Sequence, residues 1–373
     1  MRLADIETPA VLIDRVKLEA NLQGMQELAQ GHGLALRPHA KTHKSVEIGR
    51  RQVELGACGL TVATIDEALV FGRHGVASIT ISRPVVSPEK FERLFAGLPQ
   101  GVDLRVVVDS ELGVEALSGP AAASGRKPGV FIKVDVGLGR CGVDPEGAGA
   151  LELAQRIDGD ANLEFRGILS HAGQAYAAGS RDEAADIAEA ERLTMLGVRD
   201  ALVDGGVDVS EVSVGSTPTV LAARSFEGIT EIRPGNYAFL DLLPIGVGVV
   251  TEEQVALTVL ATIISKNSRY FVTDAGSKTL TSDSGVHGMT GTQGFGAAYP
   301  EDRYLSSDHR LRVEGLSEEH GKLARTDFDL PVGSRVRIIS NHSCPVANLA
   351  QELVVVEGDS IVTWPIDAAK GSR

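Results

Sequence analysis

From about residue 10 to residue 240, short runs rich in β-branched residues alternate with longer stretches of helical periodicity, and there are eight such runs. Eight strands, each followed by a helix, is the number that closes a parallel sheet into a TIM-type barrel. The runs are Ala35 to Pro38, Leu60 to Ala63, Ser78 to Ser82, Leu104 to Val108, Val130 to Val134, Phe165 to Ser170, Val212 to Val214 and Glu231 to Arg233. Between them, VKLEANLQGMQELAQGHG sets Leu18, Leu22, Met25 and Leu28 on one helical face and ends at glycine, and EAADIAEAERLTMLGVRDAL is similarly amphipathic. The same alternation permits a doubly wound open sheet, which stays open as an alternative. After Asp241 the alternation stops. LTVLATIISK, RYFVTDAG, RVRIISN, ELVVVEG and SIVTW read as strands separated by Gly, Asn and Asp turns. The expected class is therefore α/β: a (β/α)8 TIM-type barrel over residues 10–241, and a C-terminal mainly-β domain over residues 242–373 that also takes residues 1–9.

The length of 373 residues accommodates a barrel of about 250 residues with a smaller domain. Thirty-six Lys and Arg against 50 Asp and Glu leave a net charge of −14, a field that repels phosphodiester backbones, so nucleic acid is not an expected partner. No apolar run approaches the roughly 18 to 20 residues that cross a bilayer, the best being Leu242 to Val250, so no membrane association is expected. MRLADIETPAVLIDR lacks the basic start, apolar middle and small-residue cleavage site of a secretion signal, and the expected location is cytoplasmic. Three cysteines, Cys58, Cys141 and Cys344, lie far apart and in odd number, which argues against a disulfide framework.

Reactive groups of a TIM barrel sit where strands end and loops begin. After the first run, RPHAKTHK surrounds Lys41 with Arg37, His39, His43 and Lys44. Cationic neighbours lower the pKa of an amine and leave it nucleophilic, although a basic cluster is more often a solvated face. KVDVGLGRCGV turns on glycines that could hold Arg140 against a planar anionic group, or could be an ordinary loop with a surface arginine. SHAGQAY offers His171 and Tyr176 for ring packing or proton handling; a buried, hydrogen-bonded histidine is the plainer alternative. VGSTPT and RPGNY follow the seventh and eighth runs, where barrel enzymes frequently bind a phosphate through backbone amides. A phosphate cradle there, facing a lysine after the first strand, suits a phosphorylated aldehyde cofactor. In ISNHSCPVANL, His342 and Cys344 are two residues apart, and on an extended strand both project from one face toward a common metal, at about 2.0 and 2.3 Å for zinc. Two protein ligands leave coordination positions for water and substrate, while chance recurrence of H-x-C is the competing reading.

Taken in order, TPAVLID, RPHAKTHK, KVDVGLGR, GSTPT, RPGNY, DAGSK, SEEHG and NHSCPVANL resemble the D-threonine aldolase and D-serine dehydratase family of alanine-racemase-like pyridoxal-phosphate enzymes, over essentially the whole chain. The resemblance implies an amino-terminal barrel joined to a β domain, a homodimer, and a small β-hydroxy-D-amino acid as substrate. It implies that Lys41 holds pyridoxal phosphate, that Arg140 and His171 lie near its ring and Tyr176 near ring or substrate. Ser216, Thr217, Gly235, Asn236 and Tyr237 would surround the phosphate. His342 and Cys344 would hold a divalent metal, with zinc favoured by the soft thiolate and manganese or magnesium as alternatives. Asp274, Lys278, Asp283, Glu319 and His320 match family-like segments without an assigned role. Two lyase outcomes are implied: elimination to a 2-oxo acid and ammonia, as in the dehydratases, and cleavage to glycine and an aldehyde, as in the aldolases. The His-x-Cys pattern favours the first, because the aldolases place a carboxylate at the second ligand position. An amino-acid racemase and a non-enzymatic pyridoxal-phosphate carrier are the readings from other classes.

Overall fold

The computed structural model describes residues 3–284 and 293–369; the outermost residues of the expected β domain, 1–2 and 370–373, lie outside the described residues. The chain separates into two compact units, one formed by residues 25–41 and 46–235, the other by residues 3–24, 42–45 and 236–369.

Strands are numbered in chain order, beginning with β1 (Ala10–Asp14). The first unit is built on β2 (Ala35–Leu36), β3 (Leu60–Val62), β4 (Ser78–Ile81), β5 (Asp103–Val108), β6 (Gly129–Lys133), β7 (Glu164–Leu169), β8 (Glu211–Val214) and β9 (Glu231–Ile232). They form one parallel sheet in the order β2-β9-β8-β7-β6-β5-β4-β3. Its two ends meet, because Cys58 N–H donates to the Leu36 carbonyl at 2.9 Å, Thr61 N–H donates to Pro38 at 2.8 Å, and His39 bridges Thr61 in parallel. The sheet is thus a closed barrel, and the open doubly wound alternative does not hold. All eight expected runs are barrel strands. Val107, Phe131 and Leu169 from three successive strands pack as one buried cluster.

The helices follow from spacing and caps. Arg181–Asp204 buries Ala184, Glu191, Met195, Val198 and Leu202 at intervals of seven, four, three and four residues, one helical face, and the Ser180 side chain caps it by accepting the Glu183 N–H. Among the described residues no helix is long and apolar enough to cross a membrane.

The second unit holds β10 (Leu257–Lys266), β11 (Tyr270–Thr273), β12 (Gly296–Pro300), β13 (Leu311–Leu316), β14 (Gly321–Ala324), β15 (Arg335–Ser340), β16 (Glu352–Glu357) and β17 (Ser360–Pro365). Pairings β10–β11, β11–β14, β14–β13, β13–β12, β12–β15 and β15–β10 run antiparallel and return to their start, a small closed barrel. Register shifts at Ile263/Ser265 and Val313/Gly315 turn its corners. The expected cut at residue 10 falls on the first residue of β1, which extends this second sheet by pairing antiparallel with β10 and parallel with β16. Four strands of this sheet were not anticipated: β1, β12, β13 and β14. GAAYP lacks β-branched residues, yet Ala297, Ala298 and Tyr299 are buried within the small barrel.

Candidate active site

In the first unit, strand ends and the loops after them collect positive charge. Lys41 lies in the short turn Ala40–Thr42 that follows β2 and is half-buried. Its backbone N–H donates to His39 Nδ1 at 3.4 Å, so that nitrogen is the acceptor and His39 Nε2 carries the proton toward Ser82 Oγ at 3.0 Å. Burial, then Lys41, Arg233, His171 and Lys133, hold His39 well below the usual imidazole range. His171, whose Nδ1 meets the Gly215 carbonyl at 3.3 Å, is driven well down in the same way, by burial and then by Lys41, Lys133, Arg140 and Arg233. Both imidazoles are therefore neutral at pH 7; Lys41, Lys133 and Arg233 act on both, and Arg140 on His171.

Lys133, the last residue of β6, is 3% exposed. Burial, reinforced by Arg233 and Arg140 and opposed by Cys141 and Glu191, pulls its amine down to about 7. Arg233 is lowered to about 10 by burial, although Glu231 and Glu191 act the other way. Its Nε donates to Ser213 Oγ at 2.7 Å, and its Nη2 donates to the Ser170 carbonyl. Glu191 is buried, accepts Ser170 Oγ at 2.6 Å and Gly215 N–H at 3.3 Å, and is raised by burial. Cations gathered in this way, with Glu191 and Glu231 balancing part of the charge, suit an anionic ligand.

The loops are shaped for close backbone approach. Gly215 has φ +106°, and a Cβ there would stand 2.8 Å from Val220 Cγ2. Ser216 caps helix Thr217–Ala222: its N–H donates to Thr219 Oγ1 at 2.8 Å and its hydroxyl to the Ala172 carbonyl at 3.1 Å. Thr217 and Gly235 are buried beside these turns in the sequence. The Arg140 loop winds around Asp135 Oδ1, which accepts Gly137 and Gly139 N–H at 3.1 Å each, and Arg140 itself is exposed. Tyr176 is half-buried in the turn Gly173–Ala177.

In the second unit, Asn236, Tyr237, His342 and Cys344 are found. Asn236 and Tyr237 are thus in a different unit from Ser216, Thr217 and Gly235. The expected extended H-x-C strand is corrected: β15 ends at Ser340, His342 is the N-cap of helix Ser343–Leu349, and Cys344 lies in its first turn. Pro345 explains the change, since a residue without an N–H is tolerated in a first turn and breaks a central strand. The helix start is pinned by buried Asp241, whose Oδ2 accepts Ser343 N–H at 2.8 Å and Asn236 Nδ2 at 2.6 Å, while Oδ1 accepts Leu243 N–H at 3.1 Å. Tyr237 is 2% exposed.

His342 and Cys344 still converge. They hydrogen-bond to each other; burial opposes the charge on each, yet the pair overcomes it, raising His342 to about 9 and lowering Cys344. His342 Nδ1 lies 3.0 Å from Asp283 Oδ2, and Cys344 Sγ lies 3.3 Å from Thr42 Oγ1. Among the described residues no group of three or more His, Cys, Asp or Glu side chains forms a metal cluster. A nitrogen and a thiolate within mutual reach, with no third ligand grouped with them among the described residues, fit a divalent metal that takes the place of the imidazole proton and keeps open positions.

Residues 13–242 match the model of the alanine racemase N-terminal domain, and residues 256–356 that of a serine dehydratase domain. The D-threo-3-hydroxyaspartate dehydratase of Delftia sp. (strain HT23) is 33% identical, with 97% of each chain covered. The D-threonine aldolase of Arthrobacter sp. is 32% identical, covering 100% of this chain and 95% of that one. A cysteine-to-alanine mutant of a D-threo-3-hydroxyaspartate dehydratase, in the metal-free form, superposes with a TM-score of 0.91 at 31% identity over 98% of both chains. The chain belongs to the D-threonine aldolase and D-serine dehydratase family.

Among residues matching family-like segments, Asp274 is a strut: Oδ1 accepts Thr262 N–H at 2.8 Å and Oδ2 accepts Thr8 Oγ1 at 2.6 Å. Lys278 and Glu319 form an exposed ion pair at 2.6 Å. The His320 carbonyl accepts Ser317 N–H at 2.8 Å. Sequence reasoning missed Lys133, Glu191, Thr42 and Asp241. For Lys133 a signal existed, namely a lysine closing the uniformly apolar run GVFIK.

Proposed function

We propose that this member of the family is a lyase dependent on pyridoxal phosphate and a divalent metal, acting on β-hydroxy-D-amino acids by elimination to a 2-oxo acid and ammonia. The His342–Cys344 pair carries the reading, because a Lewis acid held by two protein ligands is useful at a β-hydroxyl and useless for racemisation at the α-carbon. The names of the relatives, dehydratases and aldolases alike, support a β-hydroxy-D-amino acid lyase.

The cofactor fits the donor set of the first unit: the cations at its strand ends suit a phosphorylated ring, and Lys41 is an amine among them. When bound, pyridoxal phosphate supplies an aldehyde for the substrate amine and an electron sink for the pair released at the α-carbon, and the metal supplies a Lewis acid for the hydroxyl. Lys41 would hold the cofactor through its Nζ, and the same amine would serve as the base for the α-proton. Arg140 and His171 orient the ring, with His171 neutral, and Tyr176 handles a proton beside it. Ser216, Thr217, Gly235, Asn236 and Tyr237 bind the phosphate. His342 and Cys344 hold the metal, and the soft thiolate favours zinc over manganese or magnesium.

The aldolase outcome differs in one proton: a base takes it from the β-hydroxyl rather than from the α-carbon. The deciding assay supplies purified enzyme with D-serine and D-threonine, with zinc and manganese added separately. A 2-oxo acid with ammonia is the expected product; glycine with an aldehyde would replace elimination by retro-aldol cleavage and show that Cys344 does not dictate the reaction.

A further inference from the structure

We infer that Asp283 and Thr42 are positioning residues for the metal pair: the Asp283 carboxylate orients the His342 ring, and the Thr42 hydroxyl holds the Cys344 sulfur. This inference rests on the metal-dependent reading proposed above.

Among the described residues no third ligand is grouped with the pair, and two ligands have little in themselves to fix where their donor atoms point. The imidazole turns about two side-chain torsions and the thiol about one. The structure supplies a partner for each. Asp283 Oδ2 stands 3.0 Å from His342 Nδ1. A carboxylate at that distance accepts the Nδ1–H hydrogen bond, fixes the tautomer, leaves the lone pair of Nε2 as the metal donor and makes it more basic. Asp283 is itself held on both sides, its N–H donating to Thr281 Oγ1 at 2.8 Å and its carbonyl accepting Asn341 Nδ2 at 3.4 Å. Asn341 immediately precedes His342, so carboxylate and ring are tied through two neighbouring residues.

Thr42 Oγ1 stands 3.3 Å from Cys344 Sγ, and Thr42 is 1% exposed. Against a thiolate the hydroxyl is the donor, and it engages one sulfur lone pair while the others stay available to a cation. Thr42 cannot follow the sulfur if it swings. Its segment is fastened two residues on, where Lys44 Nζ donates to Asn348 Oδ1 at 2.6 Å and the Lys44 carbonyl accepts Ala368 N–H at 3.0 Å. A neutral hydroxyl also steadies the sulfur without removing its charge, which a second cation would do.

The test titrates the cofactor-loaded, metal-stripped enzyme with Zn2+ by calorimetry and records its Co2+ absorption spectrum. Thr42→Val, Thr42→Ser, Asp283→Asn and Asp283→Ala are compared with wild type and with a His342→Ala/Cys344→Ala double variant. Asp283→Ala and Thr42→Val are each expected to weaken Zn2+ binding by about 10- to 100-fold. Asp283→Asn, which keeps an acceptor oxygen on a half-exposed side chain, loses less, and Thr42→Ser restores wild-type affinity. Thr42→Val also perturbs the thiolate-to-cobalt charge-transfer band. Wild-type Zn2+ affinity and an unchanged cobalt spectrum in Asp283→Ala and Thr42→Val, with metal lost only in the double variant, would overturn the inference and leave the metal reading intact. Wild-type Zn2+ affinity in the double variant would overturn both.

Discussion

Lys133 concentrates the electrostatic tension of the first unit in one amine. Burial and its cationic neighbours pull its folded-state pKa down to about 7, from an ordinary lysine value of 10.5. A group depressed in this way contributes stability that is present above its unfolded pKa and is lost as pH falls toward the folded one. Lys133→Met removes that charge at similar volume. In cofactor-free enzyme and phosphate-free buffer, its melting temperature should exceed wild type at pH 6, with the gap closing as pH rises from 7 toward 10.5. A gap independent of pH would mean that the amine is compensated by another group. The contrast with Lys41 shows what a sequence can reveal at this scale. RPHAKTHK is conspicuous because its basic residues are contiguous, whereas Lys133 is only one lysine until barrel closure buries it against Arg233. The role of Asp283, a residue the family-like segments named, was out of reach for a different reason, since its contact with His342 spans 59 positions.

At the scale of elements, strand β7 depends on a single glycine. Val130 pairs with Phe165 and Phe131 with Gly167, so Arg166 is the extra residue of a bulge. Gly167 has φ +148°, and a Cβ there would stand 1.9 Å from the Glu211 carbonyl oxygen on β8. Gly167→Ala is therefore expected to cost about 2 kcal/mol or more, measured as a lower urea midpoint with unchanged slope. An unchanged midpoint would mean that β8 yields without penalty. The barrel strands were legible because each is short, apolar and bounded by turn residues. GAAYP was not, because it is a strand only through the neighbours β13 and β15 that pair with it. The H-x-C pair shows the same limit: the ligands were legible, but Pro345 turned the expected strand into the first turn of a helix.

Over the whole molecule, the proposed function gives the two units receptors of opposite kinds, cations for a phosphorylated ring in one and a nitrogen with a sulfur for a soft metal in the other. Loading of the two should be separable. Dialysis against a chelator should abolish turnover of β-hydroxy-D-amino acids while the visible absorbance of the bound cofactor persists, and Zn2+ or Mn2+ should restore it. Full turnover with metal removed to well below one equivalent would refute a catalytic metal. One feature of the second sheet also sets an order of events during synthesis. Leu12 of β1 is paired with Thr258 and with Val354. The ribosome therefore releases the first strand long before either partner exists. The parallel barrel, whose strands all lie between residues 35 and 232, is complete in the emerging chain while β1 still waits as an unpaired edge. The nascent chain carries that sticky end bare until β10 has been translated, and open on its other side until β16 follows.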